Sequence, residues 1–267
     1  MSEEAGRQGQ SDAAVRAELP FAAPCRSLES DAPLRWLRLG WQDFRRAPGE
    51  SLGYGAAIVV LSWLVTGVGL TLGSYWAALV LLSGFVFVAP VLALGLYSIS
   101  RQLECAAKAS LQQSLGGLRR SFGTAMVFAM ALLIVFLVWA RAASMVHVFF
   151  PVESAPDWRQ IGIFLGVGST VGSIFALVTF VISAFSLPMI CDRDADAVTA
   201  IVTSVNAVLR NKRAMAVWVA LIVGLTALGF ATALVGLAVA IPLLGYATWH
   251  GYRETIDAGA WPPHPEH

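Results

Sequence analysis

Three carboxylates stand at alternate positions in the stretch CDRDAD: Asp192, Asp194 and Asp196. Such spacing invites a cation. A calcium loop of the EF-hand type counted from Asp192 needs Gly at its sixth position and Glu at its twelfth; the chain has Ala197 and Thr203 there. Acidic transferase sites that bind magnesium diphosphate use more than one such cluster, and no second is found. Helix electrostatics account for the pattern more simply. The acids open an amphipathic helix whose far end carries Arg210, Lys212 and Arg213, the order the helix dipole prefers.

Other residues that could do chemistry are few. The segment IGIFLGVGSTVGSIF contains GVGSTVG, which looks like a phosphate loop, but no Lys follows and it lies in an apolar run instead of after a strand. Its Gly162, Gly166, Ser169 and Ser173 share one helical face and predict close helix packing. Haem-copper chemistry needs several histidines within the spans. Of the four here, His264 and His267 are in the tail, which leaves His147 and His250. Cys25, Cys105 and Cys191 are too few and too scattered for a metal site or disulfide framework, and are expected as free thiols. Arg141 lies in an apolar run near its outer end, where it can snorkel. A sharper expectation pairs it with Glu153 or Asp157, near His147, as a small polar site on the outer face. These residues call for no cofactor, no metal, no nucleic acid and no catalytic centre.

The elements that must position them follow from composition. The chain has 267 residues, of which 57% are hydrophobic and 13% charged, against roughly 25% charged in a soluble domain. A helix needs about 20 apolar residues to cross a bilayer, and lipid-exposed backbone favours helices. Leu52 to Ser100 is about twice that length and predicts two spans broken at LGSYW, residues 72–76. Ser121 to Phe150 and Gln160 to Ile190 predict one span each. Ala214 to Trp249 predicts two, with a turn between Gly229 and Gly236. The fold class is therefore all-α, with six transmembrane helices as three hairpins.

Ahead of the first span, Leu34, Trp36, Leu37, Gly40, Trp41 and Phe44 fall on one half of a helical wheel, with Arg35, Arg38, Gln42, Arg45 and Arg46 on the other. This pattern predicts an amphipathic helix lying in the interface, anchored by Trp36, Trp41, Arg45 and Arg46. After the fourth span, Val198, Ile201, Val202, Val205, Val208 and Leu209 form a similar stripe opposite Thr199, Thr203, Asn206 and Arg210. A weaker stripe precedes Arg119 and Arg120. Basic stops recur as FRRAPG, LRRSFG and LRNKRA. Prolines that could act as hinges, Pro90, Pro188 and Pro242, recur near the inner ends of the even spans. The recurrence suggests a threefold unit of interfacial helix, basic stop and hairpin.

With the N-terminus inside, this topology puts on the cytoplasmic side all of the 18 basic residues except Arg141 and Arg159. Both termini are expected in the cytoplasm and the chain in a bacterial inner membrane. Residues 1–33 read as a disordered tail with no signal-peptide core, 34–256 as the membrane domain and 257–267 as a short tail.

The stretches LRLGWQDFRRAPGESLGYG, LPMICDRDADAVTAIVTSVNAVLRN and ALIVGLTALGFATALVGLAVAIPLLGYATWHGYRE resemble a bacterial family of integral membrane proteins, domain of unknown function 2189, over about residues 34 to 256. The resemblance implies a membrane protein and supplies no functional residues. Some members carry a cytochrome c oxidase subunit label. The resulting expectation is a non-catalytic membrane component that binds lipid, a membrane-protein partner or a second copy. The alternative is a transporter or channel for an uncharged or amphiphilic solute, with an oxidase-associated subunit ranked below both.

Overall fold

The computed structural model describes residues 20–72, 92–105, 111–149 and 157–263. Its regular structure there is helical: α1 Ala32–Arg46, α2 Pro48–Leu72, α3 over residues 92–104, α4 Leu111–Phe149, α5 Trp158–Ser183, α6 Ser186–Asp192, α7 Ala197–Arg210, α8 Lys212–Ala231 and α9 Leu237–Thr255. Among the described residues, four stretches are long and apolar enough to cross a membrane: Pro48–Val68, Ser121–Val146, Trp158–Asp192 and Lys212–Ala231. The second expected span, its turn and Pro90 fall on or around residues 73–91, outside the described residues. The sixth corresponds to α9, which is not among the four; its last two turns carry His250, Arg253 and Glu254.

The last apolar run divides where the sequence predicts. Between α8 and α9 the chain turns through Ala233 and Leu234, with φ of 52° and 72°. Leu234 N–H donates to the Gly229 carbonyl and Gly236 N–H to Thr232 Oγ1. The indole of Trp63 on α2 donates to the Ala233 carbonyl at 2.9 Å.

Large apolar side chains cover the outside of the long helices, among them Val60 and Leu64 of α2, Ile134 and Val138 of α4, Leu177 of α5 and Leu228 of α8. Lipid tails are as apolar as these side chains, so burying them inside the protein gains little. Small and polar groups line many of the inner contacts. Gly162, Gly166, Ser169 and Ser173 depart from that rule: all four are exposed, and a Cβ added at either glycine would meet nothing within 4 Å. The packing predicted for that face is not made by the described residues.

The densest packing surrounds α9, against which α1 and α2 run in turn. A Cβ at Gly40 would come to 2.8 Å from the Ala247 nitrogen, and one at Gly251 to 2.9 Å from the Trp36 ring. Pro242 has no N–H to give the carbonyl four residues back, that of Ala238. Gly55 of α2 lies directly against that carbonyl, where only a glycine lets the backbones come so close.

Trp36 corrects an expectation. It is fully buried, edge-on to Trp218 at 5.6 Å and to Phe185 at 6.2 Å, so it is a core residue and not a lipid anchor. The helical wheel placed Trp36 and Trp41 on one face because half a wheel spans 180°; α9 takes the side of Trp36, Gly40, Asp43 and Phe44 and leaves Leu34 and Trp41 outside. In α7 the apolar stripe stays on the outer side at Val198 and Leu209 but turns inward at Val208, which is buried, and the side opposite is no solvated face. Thr199, Thr203 and Ser204 are buried there: Ser204 Oγ accepts from the Phe185 N–H and donates to the Val181 carbonyl.

The tails also depart from expectation. Residues 20–31, read as part of a disordered tail, form a strap: Arg26 N–H donates to the Thr255 carbonyl at 2.8 Å, Asp257 N–H to the Pro24 carbonyl at 2.9 Å and Ala23 N–H to Thr203 Oγ1 at 3.0 Å. Asn211 accepts from the Leu28 N–H and donates to the Arg26 carbonyl. Ala258 and Trp261, in the supposed C-terminal tail, are buried as well. Local composition looked disordered because these segments fold only against distant partners: each other, α7, the end of α9, Asn211 and the chain at Arg193 and Asp194. Strap, C-terminal segment, α1, α6 and α7 make a plate at one end of the helices, with both described chain ends on it.

Of the threefold unit, the break after the basic stop is present at the first and third copies, where α1 gives way to α2 at Ala47 and α7 to α8 at Asn211, while the return span of the first hairpin lies outside the described residues. At the second, LRRSFG lies inside the uninterrupted 39-residue α4.

Candidate functional site

The plate carries a network of charges, buried at Asp43 and Asp192 and open to the outside at Glu104 and Arg253, that the sequence reading missed. Asp43 of α1, 4% exposed, accepts through Oδ2 from the Ser100 hydroxyl of α3 and pairs with His250 Nε2 of α9 at 2.7 Å. His250 Nδ1 faces Glu104 of α3 at 3.9 Å, an ion-pair separation too long for a hydrogen bond. Glu104 also meets Arg253 at 3.4 Å, and Arg253 reaches Asp192 of α6 at 3.6 Å. Asp192 Oδ2 is held by Arg193 Nε at 3.0 Å and the Tyr252 hydroxyl at 2.8 Å, and Arg193 donates onward to the Trp261 carbonyl. Next to this chain, Glu254 takes Arg35 and the Trp36 indole N–H, each at 2.8 Å.

Acids and bases alternate along this path, which ties α1, α3, α6, α9 and the C-terminal segment together. Buried charges persist only when paired and hydrogen-bonded, and removing one partner costs far more than the pair contributes. Successive residues of the α9 end point in different directions: His250 reaches Asp43 and Glu104, Tyr252 reaches Asp192, Arg253 lies between Glu104 and Asp192, and Glu254 turns to Arg35 and Trp36. The sequence signal was the run WHGYRE at the end of an apolar helix. It named the polar groups but not their partners, which come from residues 43, 104 and 192.

The three alternate aspartates separate. Asp192 joins the network, while Asp194 N–H donates to the Pro262 carbonyl. Asp196 caps α7, accepting at Oδ1 from the Val198 and Thr199 N–H groups and at Oδ2 from the Thr199 hydroxyl. Burial would raise the Asp196 pKa, but those hydrogen bonds outweigh it and hold the carboxyl below its ordinary range. Burial pushes the Cys25 thiol up, with Arg210 pulling the other way. Among the described residues no group of three or more His, Cys, Asp and Glu side chains is placed to hold a metal ion. A pocket of about 330 Å³ opens in the plate between Pro20, Phe21, Thr124, Asp194, Asp196 and Trp261.

The remaining sequence-selected residues scatter. Trp41 is 44% exposed and stacked on Phe44 at 5.4 Å. Arg45, Arg46, Arg210, Lys212 and Arg213 are exposed. Arg119 and Arg120 lie in α4, with side chains outside those described. For the outer polar site, Glu153 and the His147 side chain lie outside the described residues, Arg141 is exposed, and Asp157 caps α5 by accepting from the Arg159 N–H. Pro188 lies three residues into α6, past the break at Ala184 and Phe185, and Pro242 lies inside α9.

Apolar helices of membrane-spanning length, joined by a charged plate, agree with what the chain's inner segment matches. Residues 77–192 match the family described as predicted integral membrane protein (DUF2189). The matched segment contains α3, α4, α5 and α6 and ends on Asp192, so it brings Ser100, Glu104 and Asp192 to the network. Asp43 and the α9 residues come from outside it. Neither a curated protein nor a solved structure matches the chain.

Proposed function

We propose that this chain is a non-catalytic, multi-pass component of a bacterial inner membrane, with three out-and-back helical passes, and that it works by binding lipid or membrane-protein partners through its plate. The reading rests on how the charged side chains divide. The buried carboxylates, Asp43 and Asp192, are taken up by the half-buried His250 and Arg193 and by the exposed Arg253. Arg38, Arg45, Arg46, Lys212 and Arg213 instead face outward beside exposed apolar side chains. A plate carrying such cations belongs on the cytoplasmic side by the positive-inside rule.

The test is native mass spectrometry of the full chain in mild detergent, with an absorption spectrum of the same sample and a flux assay in liposomes. Stoichiometric retention of a lipid or a membrane protein, without solute flux, is the expected result. Flux of an uncharged or amphiphilic solute by the purified chain refutes it in favour of a transporter, and a haem band refutes it in favour of an oxidase subunit. Orientation is checked separately with an impermeant maleimide. Cys105 is exposed and should react only from the cytoplasmic side.

A further inference from the structure

One face of α1 meets no other described element and carries a regular pattern. Leu34, Arg38, Trp41 and Arg45 recur at intervals of four, three and four residues, which at 100° per residue keeps them on one narrow stripe. All four are exposed, Leu34 by 54% and Trp41 by 44%. The stripe lies opposite the side that α1 buries against α9, so no described element covers it.

Two observations point to what does. Arg35, on the flank of the same helix, is consumed by Glu29, Asp31 and Glu254, whereas no described carboxylate pairs with Arg38, Arg45 or Arg46. The chain also runs from the stripe through the break at Ala47 to Leu52, 47% exposed on α2. From there it leads to Val60 and Leu64, the exposed apolar surface of a membrane-length helix. Arginines alternating with apolar groups, at the mouth of a lipid-facing surface, fit a ligand with an anionic head and acyl chains.

We propose that this stripe is a binding surface for anionic phospholipid headgroups. Arg38, Arg45 and Arg46 meet the phosphate, and Leu34, Trp41 and Leu52 pack on the first methylenes. The stacking of Trp41 on Phe44 fixes the indole in place. The inference deepens the reading above by naming lipid, not protein, as what the plate binds there.

The experiment titrates the full chain in detergent with phosphatidylglycerol or phosphatidylcholine of matched acyl chains and follows bound lipid by native mass spectrometry. Each arginine near an anionic surface contributes about a fivefold factor. The triple variant Arg38→Gln, Arg45→Gln, Arg46→Gln should therefore lose phosphatidylglycerol binding by on the order of a hundredfold and leave phosphatidylcholine unchanged. The three lysine substitutions should restore most of it. Arg45→Gln alone, expected to lose about fivefold, provides the readout if the triple variant unfolds. Equal affinity for both lipids, an unaffected variant, or displacement by equimolar inorganic phosphate overturns the proposal. A chain without lipid preference that keeps a stoichiometric membrane-protein partner overturns this inference alone; solute flux overturns the broader reading whatever the lipid result.

Discussion

Trp36 and Trp41 stand five residues apart in one amphipathic helix, and the structure assigns them opposite roles. Replacing Trp36 with alanine removes a fully buried indole that touches Trp218 and Phe185. Large-to-small changes of that kind cost about 3–5 kcal/mol, because the cavity only partly collapses. The lost hydrogen bond to Glu254 adds about 1 kcal/mol at most, since that carboxylate keeps Arg35 at 2.8 Å. Trp36→Phe loses the N–H donor and part of the indole's buried volume, for about 1–2 kcal/mol. Trp41→Ala removes an exposed ring that makes one stacking contact, worth about 0.5–1.5 kcal/mol. The assay is reversible denaturation in mixed micelles followed by circular dichroism, which does not depend on the tryptophans removed. A double-mutant cycle of Trp36→Phe with Glu254→Gln should show about 1 kcal/mol of coupling. If Trp36→Ala costs no more than Trp41→Ala, the plate is not packed as described and both residues are surface anchors.

Three further outcomes are expected. Gly55→Ala drives a methyl group into the Ala238 carbonyl and should destabilise by about 1–3 kcal/mol in the same assay, whereas Gly53→Ala, where an added Cβ meets nothing within 4 Å, should cost little. Leu234→Gly relieves a left-handed residue at φ 72° and should stabilise by about 1 kcal/mol; a loss of stability would show that the Leu234 side chain matters more than its backbone. Asp196→Ala should cost about 1 kcal/mol near neutral pH. Because the folded chain lowers the Asp196 pKa, that contribution is full above the ordinary carboxylate range and is lost as pH falls through the lowered value. The wild type and Asp196→Ala should therefore converge in acid; a difference that persists there would rule out the carboxylate cap as its cause.

Much of the fold is legible along the chain, since length and apolarity alone require helices in a bilayer. The turn between Gly229 and Gly236 is equally local, set where one apolar run is too long for a single crossing. The family resemblance stated for residues 34 to 256 is matched over the inner segment 77–192. Which face of a helix points inward was not legible, and here the rule familiar from soluble proteins gives little guidance. In water a stripe of valines predicts the buried side; next to lipid, α7 can leave Val198 and Leu209 outside and bury Thr203 and Ser204, whose hydroxyls find backbone partners inside.

The candidate site shows the same division. Sequence by itself determined that Asp43, Glu104, Asp192, His250 and Arg253 are ionisable groups close to the ends of apolar segments, and that Asp196 stands where a helix begins. It also determined that Arg38 and Arg45 recur at helical spacing with Leu34 and Trp41. Only the tertiary structure decided that the first five pair with one another, across separations of up to 207 residues, while Arg38 and Arg45 pair with none of the described carboxylates. The physical reason is that a buried charge is tolerable only with its counter-charge beside it. Which counter-charge that is depends on which helix ends meet, and that is fixed by close contacts such as Gly40 on Ala247 and Gly251 on Trp36, not by anything local in the chain.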